Sequence, residues 1–239
     1  MNATQVFQTL SETEPFFTVS SSHKYRQNEM RREDELRFWR EGRHCVADVL
    51  DFVGQNAFDS ILDYGCGVGR LLRAMAPHAT HAHGVDICPR LLKKAGETCP
   101  QATLLEFDQW IKSAPLVEFS YSVIVFQHIP EAEGLKILEH LLNHTRRLCA
   151  FHILVGDRRN WITKSLFRLS FIPLFAGISN WLRGRSWSEP RIPMFCWDRE
   201  RVEAIFKRAR FIIEPCLLEN CLEPSWESYL FVGRRCEPV

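Results

Sequence analysis

The sequence contains no run of about 18 apolar residues, so no segment reads as a membrane-spanning helix. Its most apolar stretch, Phe171 to Ile178, is too short to span. Residues 1–15 lack an apolar core, and no secretory leader is expected there. Nine cysteines is a high number, but none forms a C-x-x-C pair and the count is odd. That argues against a disulfide framework or a zinc site and for reduced thiols in a cytoplasmic chain. Net charge is almost absent, at +1 from 30 Lys and Arg against 29 Asp and Glu. Global attraction to nucleic acid or to an acidic membrane is therefore not expected. Internal repeats and low-complexity segments are missing too. What remains is an ordinary globular composition, 46% hydrophobic and 25% charged. Its 239 residues can bury one large core or two small ones.

One stretch organises the rest. Ile61-Leu62-Asp63-Tyr64-Gly65-Cys66-Gly67-Val68-Gly69-Arg70 reads as a buried strand, a tight glycine turn and a helix start. Glycines permit positive φ and let a ligand approach the backbone. The helix start presents unpaired N–H groups. A dinucleotide site wants G-x-G-x-x-G, and Arg70 fills the sixth position here.

The chain then alternates between strand and helix. Residues 1–20 are polar and are expected to be mobile or to close over a site. Helical spacing runs from Lys24 to Val53, with Val46, Val49, Leu50 and Val53 on one face, and Gly54 ends it. Phe38 and Trp39, followed by Gly42, suit packing on the sheet or a pocket wall. Strands are expected at Ser60–Tyr64, His81–Asp86, Thr103–Phe107, Val117–Ser122 and Leu148–Val155. Helices follow Leu71, Pro89 and Pro130. After Asp198, an N-cap, come Val202, Ile205 and Phe206 on one helical face. Two last strands, Phe211–Leu217 and Tyr229–Gly233, read as an antiparallel pair at the sheet edge. The expected fold is α/β: a Rossmann-like, doubly wound, seven-stranded sheet with an antiparallel last strand. Residues 1–56 form a helical cap, 57–156 the binding core, 157–194 a lid inserted after strand five, and 195–239 the end of the sheet.

Asp86 closes strand two in Gly84-Val85-Asp86-Ile87, 17 residues after Gly69. Ligands of open α/β sheets sit at the carboxyl ends of the strands, where an acid can accept from both hydroxyls of a ribose. Asp108 and Gln109 follow strand three. His78, His81 and His83 have no cysteine or carboxylate spaced around them, so no metal site is expected. His128 is a candidate base, since imidazole takes a proton near neutral pH. A structural or cofactor-facing role for it is the preferred reading.

D-x-G-x-G-x-G at Asp63–Gly69, GVDI at 84–87 and the run from Val117 to Pro130 ending in Gln127-His128-Ile129-Pro130 occur in one order and spacing. As a set, over about residues 36–156, they resemble the class I S-adenosylmethionine-dependent methyltransferases. The chain departs from that pattern at Glu118, where an Asp is usual. It also lacks the Pro-Gly-Gly turn before strand five, and Ala209-Arg210-Phe211 replaces Ala-Gly-Phe. The resemblance implies strand order 3-2-1-4-5-7-6 and S-adenosylmethionine as cofactor. It implies cofactor contacts from Asp63, Gly65, Cys66, Gly67, Asp86, Ile87, Asp108, Gln109, Ser122, Val123 and His128. A methyl group would pass to an O or N nucleophile of a small molecule. Two alternatives stand beside it: a non-catalytic cofactor- or partner-binding protein on the same fold, and a nicotinamide-dependent oxidoreductase, against which Arg70 argues. The N-P-P-Y motif of base-modifying enzymes is absent, and no nucleic-acid partner is expected.

Residues 157–194 carry seven Lys and Arg against two acids, a local +5, among aromatic and aliphatic side chains. As a lid they would suit an aromatic or amphipathic acceptor bearing an acid or phosphate, with Arg158 and Trp161 as substrate contacts. The same pattern fits a packed cap with solvated arginines or, as a lesser reading, contact with a membrane surface or a lipid-linked acceptor.

Overall fold

The structure, a computed structural model, describes residues 2–169, 171–182, 185–216 and 225–236. Seven strands form one sheet: β1 (Phe58–Tyr64), β2 (Ala79–Asp86), β3 (Thr103–Glu106), β4 (Val117–Ser122), β5 (Thr145–Asp157), β6 (Phe211–Cys216) and β7 (Trp226–Arg235). Their order is β3-β2-β1-β4-β5-β7-β6, as the resemblance implied. The first five run parallel, and β7 lies antiparallel between β5 and β6.

Helices cover both faces. On one side α3 (Arg32–Val53), α4 (Leu72–Met75) and α5 (Pro89–Thr98) pack against Ile61, Phe119 and Tyr121. On the other, α6 (Phe107–Ser113), α7 (Glu131–Asn143) and α10 (Arg199–Arg208) pack against Leu62, Phe151 and Phe231. Burial on both faces explains why β4 shows no alternation: all six of its residues are buried. Trp110, Phe126, Trp197 and Phe206 are fully buried, each contributing on the order of 2 kcal/mol or more. Trp197 fits only because residue 134 is glycine; a Cβ there would stand 1.9 Å from the indole. The indole N–H donates to the Ile129 carbonyl at 3.0 Å.

Several boundaries differ from the sequence expectation. Residues 2–20 are largely helical. They form α1 (Ala3–Thr13), capped reciprocally by Asn2 and Gln5, and α2 (Pro15–Val19). The long helix starts at Arg32, not Lys24; Glu33, Asp34 and Glu35 favour its positive end there. β3 stops at Glu106, and Phe107 opens a helix because Glu106 and Gln109 cap it reciprocally. β5 runs from Thr145, directly behind α7, without a Pro-Gly-Gly turn. The Thr145 hydroxyl donates to the Leu141 carbonyl at 2.7 Å and makes the corner. Asp198 caps α10 as expected, accepting from the Arg201 N–H at 3.1 Å. Leu217, expected at the end of strand six, and Arg183 of the 157–194 segment lie outside the described residues. The Asp-to-Glu departure at 118 has a local reason. Glu118 accepts from the Asp59 N–H and from Arg147, both at 2.6 Å, at the amino end of the sheet.

Candidate active site

The carboxyl ends of β1, β2, β3 and β4 open into one cavity of about 990 Å³. β1 leads into the glycine turn. Gly65 and Cys66 both donate their N–H to the Val85 carbonyl, at 2.8 and 3.0 Å, which locks the turn to β2. Gly65 and Gly67 lie at φ +76° and +55°, a region that costs other residues energy. A Cβ on Gly65 would meet Val125 at 2.5 Å, and one on Gly67 would meet Val19 at 2.5 Å. The turn is therefore pressed between the end of β4 and α2. The N-terminal helices close over it, with Phe7, Thr18 and Val19 lining the cavity.

Asp86 stands at the end of β2, buried, with its two oxygens already engaged. One accepts from the Gly67 N–H and the other from the Cys88 N–H, both at 2.9 Å. It holds the turn in shape as well as facing the cavity. Burial raises its pKa, against those backbone donors. Asp63 is also buried; burial pushes it up to about 8, and the neighbouring Asp86 charge adds to this. The hydroxyl of Tyr121, its cross-strand neighbour, works against that rise. Burial pushes the Cys66 thiol well up, so it stays neutral and is no nucleophile.

His128 lines the cavity at its far end. Its Nδ1 lies 2.8 Å from the Pro193 carbonyl, which can only accept. Nδ1 therefore carries the proton and Nε2 a lone pair. The ring packs on Phe7, centroids 5.0 Å apart. Burial pulls its pKa down to about 4, so the ring is neutral at pH 7.

The other expected site residues divide. Ile87, Asp108 and Val123 line the cavity, Asp108 from the first turn of α6. Gln109 does not; its side chain caps α6 by accepting from the Glu106 N–H at 3.3 Å. Ser122 is fully buried behind the wall and donates to the Tyr64 carbonyl at 2.8 Å. Arg158 pairs with Glu227 at 3.3 Å, and Trp161 is 76% exposed; neither reaches the cavity. Phe38 is a packing residue, buried among Tyr25, Val68 and Leu91, and Gly42 lets α3 lie against Arg70.

Sequence reasoning missed one wall altogether. Glu41, His44, Cys45 and Asp48 line the cavity from α3, at i, i+3, i+4 and i+7, a polar stripe that the apolar stripe beside it obscured. Ile124 was missed as well. It lines the cavity at φ +62°, a strained setting for a β-branched residue and a common mark of functional sites. Seven carboxyl groups border the cavity: Glu41, Asp48, Asp63, Asp86, Glu106, Asp108 and Glu133. Among the described residues, Arg70 is the one Lys or Arg on its wall, and it is paired with Glu41 at 3.3 Å.

Residues 38–157 match the family model described as "Methyltransferase domain". No curated protein matches by sequence. Among solved structures, the magnesium protoporphyrin IX methyltransferase of Synechocystis PCC 6803 with bound SAH superposes with a TM-score of 0.65 at 15% identity. The match covers 97% of this chain and 99% of that one. The N-methyltransferase NodS of Bradyrhizobium japonicum WM9, in complex with S-adenosyl-L-homocysteine, gives 0.59 at 13% identity, covering 99% and 100%. Human N-acetylserotonin methyltransferase in complex with SAM gives 0.55 at 15%, covering 93% of this chain and 59% of that one. At these identities the likeness concerns the fold.

Proposed function

The chain belongs to the methyltransferase-domain family, and from that premise we propose that it moves a methyl group from S-adenosylmethionine to a small molecule. The observation that carries the cofactor is the charge of the cavity. Seven carboxyl groups against one paired arginine suit a ligand bearing a sulfonium and an ammonium, and repel a pyrophosphate. Asp63, held near 8 by burial, ionises more readily beside a cation. The volume stands at the upper end of single-ligand pockets, leaving room for cofactor and acceptor together.

S-adenosylmethionine supplies an activated methyl, so the protein's part is positioning. The glycine turn offers close backbone approach. Asp86 fixes the turn and presents its remaining lone pairs to a ribose. Asp108 and Ile87 border the adenine end. Phe7, Ile129, Ile137, Glu133 and His128 border the acceptor end. An acidic acceptor, expected from the lid's charge, meets carboxylates there, so a neutral acceptor or an amine fits better. His128 acts as a positioning residue: a base of pKa about 4 takes little from a nucleophile at neutral pH. It instead ties the Pro193 carbonyl to the cavity wall.

Calorimetry with S-adenosylhomocysteine and with NAD tests the cofactor. The first should bind in the micromolar range and the second should not bind. The reverse pattern would remove the proposal.

A further inference from the structure

The segment from Trp161 to Leu182 is built inside out. Its helices are α8 (Trp161–Leu169) and α9 (Pro173–Leu182). α9 turns Gly177 and Asn180 inward. The Asn180 amide is buried and donates to the Glu189 carbonyl at 2.9 Å, and a Cβ on Gly177 would collide with the Trp187 ring. The opposite face carries Leu174, Ile178, Trp181 and Leu182, at i, i+4, i+7 and i+8, all exposed. Trp181 and Leu182 are 69% and 71% exposed. α8 buries no residue, and its stripe of Ile162, Leu166 and Leu169 is exposed as well. Helices that pack on their own core do the reverse. A contiguous apolar surface of this kind marks an interaction site.

Three observations choose the occupant. The first is charge: residues 157–194 carry +5, which leaves −4 on the rest of a chain of net +1. That segment attracts an anionic surface and repels a second copy of itself. The second is the placement of Trp161 and Trp181, both exposed; tryptophan settles at the headgroup level of a bilayer. The third is geometry. Together the two helices are as apolar as a membrane span, but they meet at 96°. Each is about 15 Å long, half of a hydrocarbon core of about 30 Å. Neither helix alone crosses it, and both can lie in its interface.

We propose that α8 and α9 dock this protein on an anionic lipid surface, outer stripes in the acyl boundary and basic side chains among the headgroups. Membrane contact, the lesser reading of residues 157–194 in the sequence analysis, becomes the favoured one, and it does not depend on the cofactor reading. The chain that follows the docking helices is tied to the N-terminal helices. Glu189 pairs with Arg26 at 2.6 Å, and Arg26 also faces Glu14, between α1 and α2.

Flotation of the full chain with lipid vesicles tests it. Wild type should float with phosphatidylcholine vesicles containing about 30 mol % phosphatidylserine, and at least about tenfold less with phosphatidylcholine alone. The double variant Leu166→Glu, Trp181→Glu should lose about tenfold or more of that binding, with an unchanged circular dichroism spectrum. Arg168→Glu, on an exposed side chain of α8, should reduce the preference for phosphatidylserine. Absence of wild-type flotation with either vesicle overturns the proposal, as does full flotation of the double variant. So does a wild type that self-associates in sedimentation without floating, since a second copy would then cover the face.

Discussion

Gly67→Ala separates two costs that the glycine turn avoids. The first is backbone: at φ +55° an alanine costs about 1–2 kcal/mol. The second is contact. The new Cβ would stand 2.5 Å from a methyl of Val19, and the next two atoms within reach, at 3.6 and 3.7 Å, also belong to Val19. Relieving that overlap costs about 1–3 kcal/mol, either by straining α2 in place or by lifting it off the cavity. Gly67→Ala should therefore lose roughly 2–5 kcal/mol of stability. Val19→Ala alone should lose about 1–2 kcal/mol of burial. The double variant removes the overlap, so it should be more stable than the sum of the singles by about 1–3 kcal/mol. Denaturant unfolding of the four proteins measures this cycle, and calorimetry with S-adenosylhomocysteine reports whether the cap still closes. Additivity within about 0.5 kcal/mol would refute the reasoning, because it would mean that Val19 does not sit on the turn.

Two further outcomes follow from buried polar groups. Asp86→Ala orphans the Gly67 and Cys88 N–H groups, so about 2–4 kcal/mol of stability should go along with cofactor affinity; unchanged unfolding in denaturant would show that the carboxylate does not hold the turn. His152 is fully buried with neither ring nitrogen partnered, and burial pulls its pKa down to about 4. A depressed pKa means stability is full above the unfolded value of about 6.5 and falls as pH drops toward 4. Asp63, raised to about 8, works in the opposite direction over the same window, so the comparison must be between proteins. Between pH 7 and pH 4.5, wild type should lose roughly 2–3 kcal/mol more than His152→Leu, and parallel pH profiles would exclude His152 as the source.

The parts of this fold that were legible in the sequence are those with one dominant physical cause. β4 was readable to the residue because every position in it is apolar or backed by a buried partner. The glycine turn was readable because three positive-φ positions leave little choice of residue. The α6 helix was missed because its cap is a Glu–Gln pair, which looks like the polar tail of a strand. Gln109 and Ser122 were placed at the site by position alone; local hydrogen bonds to Glu106 and Tyr64 turn them elsewhere. Arg158 and Trp161 stand away from the cavity for another reason. A strand end says where the next segment begins, and nothing about which way its side chains face. The outward apolar stripes of α8 and α9 show the same gap: periodicity gives a helix its two faces but does not say which is turned to solvent.

The place of β7 in the sheet has a consequence for biosynthesis. β7 follows β5 and β6 in the chain, yet it occupies an inner position, bonded along Leu148–Asp157 on one side and Phe211–Cys216 on the other. Until it arrives, β5 has a bare edge whose residues include Phe151, Ile153 and Leu154, the kind of edge that templates intermolecular pairing. β6 has no other partner strand and waits with it. The nascent chain thus passes through a window, from about residue 157 to residue 235, in which most of the sheet is made and none of it is sealed on that side. A stop codon or a ribosome stall in that window yields a sticky product, and a chaperone that shields β5 during it would raise the yield of folded protein.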